Sequence, residues 1–278
     1  MQKIKLLLPI ISGIIMLGFS SCKKNNTPSG EIETTFELTG KQAISESLTD
    51  DANNVLDEIT ESQGLSGNKA PVIDNGTLSC ATVTVSPGAF PKTITLDFGS
   101  GCTNPNSNIE RSGIITIELS DSFRLTGSTA VMTFENYFVK GYKKEGTITW
   151  TNTSTSTVRS WSRQVTDGKI TAPDGRYWFH NGLKQITQVA GNNTPRILMD
   201  DAFSITGSSL ITNSSGNSRT ATIETPLHKR VACDHVDEGS IRFQGPNHYA
   251  TLDFGNGTCD AIATISINNY QPRTIMLP

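Results

Sequence analysis

Along most of the chain, apolar and polar residues alternate one by one. Ile94, Leu96 and Phe98 stand between Thr93, Thr95 and Asp97, the period of a sheet with one dry and one wet face. The same alternation runs through residues 81–86, 115–119, 146–151, 219–224, 239–243 and 261–267. Gly, Asn, Ser, Asp and Pro fill the intervals, with no helical pattern between them, so antiparallel hairpins are expected. One segment differs. Ile44, Leu48, Ala52, Val55, Leu56 and Ile59 make a single apolar stripe at helical spacing, and Glu46, Asp50, Asp51, Asp57, Glu58 and Glu61 fall mainly on the other faces. Gly64 is placed to close this helix in a left-handed turn. Acids in its last turn oppose the macrodipole, so packing must hold it. The predicted fold class is mainly β: an antiparallel sandwich, open barrel or curved sheet, with one N-terminal amphipathic helix packed on it and covering an open end or face.

The first residues break the alternation. Met1-Gln2-Lys3-Ile4-Lys5 is a basic start, residues 6–19 are an apolar run, and Ser20-Ser21-Cys22 ends it with small residues. Together they describe an export signal, too short for a comfortable bilayer span. Phe19-Ser20-Ser21-Cys22 resembles the lipobox of bacterial lipoproteins, with Phe19 where Leu is usual. The resemblance implies that residues 1–21 are removed and that Cys22 is diacylated on sulfur, palmitate-like, then acylated on its new amino terminus. At about 0.8 kcal/mol per buried methylene, two or three chains anchor far more firmly than one. Lys23, not Asp, follows Cys22, which in lipoprotein sorting implies the outer membrane; with no acidic run behind it, the periplasmic face is favoured over the cell surface. Residues 22–40 are polar, with Pro and Gly, and read as a flexible tether. Residues 41–278 then form a single β-rich domain.

Composition narrows the partners. With 278 residues, 23 Lys+Arg, 26 Asp+Glu and a net charge of −3, the chain has no basic footprint, and nucleic acid is not an expected partner. Beyond Cys22 stand Cys80, Cys102, Cys233 and Cys259, an even set suited to two bridges in an exported chain. Three connectivities are open. The context favours local staples, Cys80–Cys102 and Cys233–Cys259, because Thr95-Leu96-Asp97-Phe98-Gly99-Ser100-Gly101-Cys102 recurs as Thr251-Leu252-Asp253-Phe254-Gly255-Asn256-Gly257-Thr258-Cys259. Without C-x-x-C spacing, the thiols are a poor zinc site. Two further echoes, residues 121–128 with 201–208 and Glu145-Gly146-Thr147-Ile148 with Glu238-Gly239-Ser240-Ile241, suggest a diverged internal duplication.

Catalytic constellations are missing. There is no G-x-S-x-G, H-E-x-x-H or Walker loop in the sequence. His235 with Asp234, Asp237 and Glu238 is the densest titratable cluster, and it reads as a solvated turn beside a disulfide; no metal or cofactor is expected. Asp97 and Asp253 stand at strand ends near Gly, where Asp accepts backbone N–H groups. Trp150, Trp161, Tyr177 and Trp178 crowd the middle of the chain and are the candidate ligand-binding residues, a groove for a glycan or peptide. Strand propensity alone would also recruit such aromatics.

With TLDFGSGC, TLDFGNGTCD, Arg111-Ser112-Gly113 and the ETPL of residues 224–227 in view, the chain resembles a family of Bacteroidetes-type lipoproteins that carries no assigned activity. The resemblance spans nearly the whole mature length and implies export and architecture, nothing catalytic. The expected function is therefore a non-enzymatic, lipid-anchored envelope lipoprotein that binds a protein or glycan partner or plays a structural part. The alternatives are a carrier or sensor of an apolar ligand, with the sheet as cup and the helix as lid, and a secreted hydrolase.

Overall fold

The computed structural model describes residues 28–67, 78–105, 108–194, 197–268 and 270–278; the export signal and Cys22 lie outside them. A single helix, α1 (Pro28–Ser62), precedes all strands. Then come β1 (Thr82–Val85), β2 (Lys92–Asp97), β3 (Cys102–Thr103), β4 (Glu110–Leu119), β5 (Thr129–Val139), β6 (Tyr142–Asn152) and β7 (Ser160–Thr171). β8 (Tyr177–Ala190), β9 (Ala202–Asn213), β10 (Ser218–Arg230), β11 (Glu238–Gln244), β12 (Tyr249–Asn256), β13 (Ile262–Ile267) and β14 (Arg273–Met276) complete the order. All belong to one antiparallel, 14-stranded open sheet, β1 and β14 at its ends and β3 pairing aside with β4. Successive strands are neighbours almost throughout, as hairpin connections require. The mainly β reading, with one helix packed on the sheet, is what the chain adopts.

The helix differs from expectation in extent and in surroundings. It reaches back to Pro28, so most of the segment expected to be a tether is helical. Ile32, Phe36 and Leu38 are buried in the core, which the polar average of residues 22–40 concealed. From Lys41 to Ala52 every residue except Ile44 is buried. Such a stretch covers all faces of three turns, and a helix lying on a flat sheet would leave one face wet. The sheet therefore curls around the helix. Side chains on opposite regions of the sheet reach it, from Arg111 on β4 to Arg273 on β14.

Bulges make the curl. Register shifts occur between residues 112 and 114 on β4, 145 and 147 on β6, 165 and 168 on β7, 222 and 227 on β10, and 238 and 240 on β11. Those on β6 and β7 lie side by side, as do those on β10 and β11, and at these places the strands bend; bulges increase local twist and bend. Gly113 and Gly146 sit at two of the bulges with φ of 82° and 103°. A Cβ at Gly113 would stand 2.1 Å from the Asn136 carbonyl oxygen, and one at Gly146 would stand 2.6 Å from that of Asp167. No other residue fits there.

The interior is ionic as well as apolar. Arg163 Nη1 is 3.2 Å from Asp50 Oδ1 and its Nη2 3.8 Å from Glu46 Oε2. Lys184 pairs with Glu46, and Arg111 with Asp51. Lys144 Nζ donates to Thr49 Oγ1 at 3.3 Å. Burial opposes ionisation of Glu46, but Lys184, His180 and Arg163 together draw its pKa down to about 2. Burial pushes Lys144 down to about 8 and His180 down to about 3. The acids expected on the wet side of the helix thus meet cations of the surrounding strands, since an unpaired buried charge would cost several kcal/mol.

Both disulfides join the expected pairs, Cys80 to Cys102 and Cys233 to Cys259. The TLDFG copies match in detail: Asp97 Oδ1 accepts from Gly99 N, and Asp253 Oδ1 from Gly255 N, each at 2.8 Å. The two Glu-Gly copies share a bulge. Residues 121–128 lie in the β4–β5 connection, however, and residues 201–208 mostly in β9, so that echo joins unlike structures.

Candidate functional site

The four aromatic candidates separate. Trp150 is buried and its Nε1–H donates to Asn53 Oδ1 at 2.6 Å. Trp178 is buried too, donating to Ser45 Oγ at 2.9 Å. Both dock the helix. Tyr177, on the opposite pleat parity from Trp178, faces outward beside Phe179 with ring centroids 5.8 Å apart. Trp161 is buried as well, 7% exposed, and its uncovered part lines a sizeable cavity.

That cavity, about 360 Å³, opens at the rim of the sheet near the C-terminal end of α1. Three connections build it: β4–β5 supplies Arg124 and Thr126, β6–β7 supplies residues 154–159, and β8–β9 supplies Asn192 and Asn193. Asn152 and Trp161 form part of the wall. Phe123 stacks on Trp161 at 5.7 Å, and Phe203 meets its edge at 6.2 Å, which fixes the indole. Among the described residues its N–H has no acceptor.

The β6–β7 turn is held by its own hydroxyls. Thr155 Oγ1 accepts from Val158 N at 3.2 Å, and Ser154 Oγ accepts from Ser160 N at 3.0 Å. Thr126 Oγ1 donates to the Ser154 carbonyl at 2.9 Å, tying this turn to the β4–β5 connection. Ser156 and Thr157 at its tip remain exposed. A preformed turn presents donors and acceptors without paying ordering entropy on binding.

Two guanidinium groups face the same space. Arg124 pairs with Glu61 at 2.5 Å. Arg159 Nη1 donates to the neutral Gln188 Oε1 at 3.2 Å, and Gln188 Nε2 donates to Asp201 Oδ1 at 2.8 Å. Partial burial, and then Arg124, hold the Arg159 pKa below its usual value. Burial raises Asp201 to about 7 although Arg124 and Arg159 pull the other way.

The histidine cluster is not a solvated turn. His235 is buried with Nδ1 3.1 Å from Ser47 Oγ. Asp237, 1% exposed, takes His228 Nδ1 at 2.7 Å and Arg230 Nε at 2.5 Å. The segment packs against the helix because the sheet closes over it. His180 lies 3.4 Å from Gln42 Nε2, enclosed elsewhere on the helix. Among the described residues, no group of three His, Cys, Asp or Glu side chains could hold a metal. The cup expected to hold an apolar ligand is filled by α1; the gap beside Trp150 and Phe203 measures about 10 Å³.

Comparison with protein-family models, with curated proteins and with solved structures finds no match. The disulfides suggest an extracytoplasmic protein. Among the described residues, no helix is long and apolar enough to cross a membrane. Sequence reasoning missed Arg124, Arg159 and the two asparagines. Its one available signal was the hydroxyl-rich run Asn152-Thr153-Ser154-Thr155-Ser156-Thr157, composed for an exposed turn and not for a strand.

Proposed function

We propose that the protein is a lipid-tethered envelope lipoprotein of non-enzymatic role that holds a saccharide in the rim pocket. The lipobox-like Phe19-Ser20-Ser21-Cys22 and the disulfides support the address, and the pocket supports the activity. The single observation that carries the reading is the pocket's make-up: hydroxyl and amide side chains on three connections around an immobilised indole. Sugars present many hydroxyls beside apolar ring faces, and such a wall answers both. The enclosed charges along the helix are placed to join it to the sheet, where substrate has no access. Two measurements test the reading. Mass analysis of the N-terminal peptide of the native protein should find acyl groups on Cys22. A glycan screen should find a saccharide bound by the wild type and lost from Thr157→Trp, which fills the pocket mouth from an exposed turn without lowering the melting temperature. A screen in which no saccharide binds would refute the assignment.

A further inference from the structure

The class of saccharide follows from the charges in the pocket, given the reading just made. We propose that the ligand is an acidic saccharide whose carboxylate is held by Arg159. Arg124 already has a carboxylate partner, Glu61, at 2.5 Å. Among the described residues Arg159 has none within ion-pair distance; its hydrogen bond goes to the uncharged amide of Gln188 at 3.2 Å. It is half-buried and lines the cavity, so its charge is poorly screened and points to a counter-ion from outside the chain. The remaining guanidinium N–H groups offer the planar fork that matches a carboxylate. A single negative charge fits better than two, because Glu61, paired with Arg124 in the pocket wall, would repel a phosphate dianion. The exposed Ser156 and Thr157, and Asn192 and Asn193 across the opening, are left for the sugar hydroxyls.

The test is calorimetric titration of the full-length acylated protein in detergent. The probes are oligomers of galacturonate, glucuronate and mannuronate, each beside its uncharged methyl ester. The acid of at least one pair should bind about tenfold more tightly than its ester, the margin of a charge-assisted hydrogen bond. Arg159→Gln should abolish that preference. Arg159→Lys should restore part of it, since an ammonium keeps the charge but not the fork. Melting curves of both variants check that the rim remains folded. Equal affinity for acid and ester would overturn the assignment of Arg159 while leaving a saccharide pocket standing. Failure of every acid and every ester to bind the folded wild type would overturn both.

Discussion

At the scale of single residues, polarity along α1 was a poor guide to exposure. The acidic side of the helix was expected to be wet because a one-sided apolar stripe implies one dry face. Yet Glu46 and Asp50 are among the most enclosed groups in the molecule, while Ile44 of the stripe is only half-buried. The difference lies in residues far along the chain, such as Arg163 and Lys184, which no local pattern connects to the helix. Asp57 records the cost of this enclosure. Burial first, then the neighbouring Asp201 and Glu61, raise its pKa to about 7 against the pull of Arg124 and Lys229. An unfolded Asp releases its proton near pH 4. Between that pH and about 7 the folded state therefore holds a proton that the unfolded state has lost, and stability falls as pH rises. Asp57→Asn removes the group. Its melting temperature, measured against wild type, should gain steadily from pH 4 to pH 7 and then level off. His180, His235 and Glu46 titrate with the opposite slope, but they are present in both proteins and cancel. A difference that is flat across this range, or shrinks, would show that Asp57 is not held protonated.

Elements were more legible than their assembly. Alternation located β2 and β13 nearly to the residue, since Ile94, Leu96, Ile265 and Ile267 all point inward. The stapled TLDFG hairpins were readable because each Cys travels with the same turn. The bulges were not, although their letters were in plain view: Arg111-Ser112-Gly113 looked like a family motif, and Glu145-Gly146-Thr147 and Glu238-Gly239-Ser240 like traces of duplication. In the structure they share a mechanical task. Each places a bulge where a strand must bend around the helix, and a bulge leaves no periodic mark in a strand's pattern. Substitution separates this task from ordinary turn geometry. Gly175, with φ of 83° and open space around its Cα, and Gly113, with a carbonyl 2.1 Å from any added Cβ, are both left-handed. Gly175→Ala should cost about 1 kcal/mol, the backbone penalty alone. Gly113→Ala must also part β4 from β5 and should cost about 3 kcal/mol or more. Urea titration of the two variants decides the matter; equal losses would mean that the bulge is not a structural requirement.

At the scale of the whole molecule, the rim pocket gathers residues from three connections that the sequence separates widely, so no spacing could have announced it. The helix, by contrast, relates that pocket to the proposed anchor. Pro28 follows Cys22 by six residues, a distance of at most about 20 Å for any conformation of the intervening chain. From there α1 runs 35 residues, about 52 Å. Its first turns meet Arg273 and His248, and its last turn meets Arg124 in the pocket wall. A chain held by acyl groups on Cys22 is thus held at the end of the sheet opposite its pocket. The helix works as an internal strut held to the surrounding strands by ion pairs, and with the proposed anchor at Cys22 it would carry the proposed pocket away from the lipid toward the aqueous space. A donor dye on Ser156→Cys, with acceptor lipids in the vesicle that bears the acylated protein, should report a separation above about 40 Å, close to the length of the strut. A dye on Thr274→Cys, at the helix's starting end, should lie well inside that distance. If both positions transfer energy equally, the body lies flat on the bilayer, and the pocket then meets ligands at the membrane surface instead of in solution.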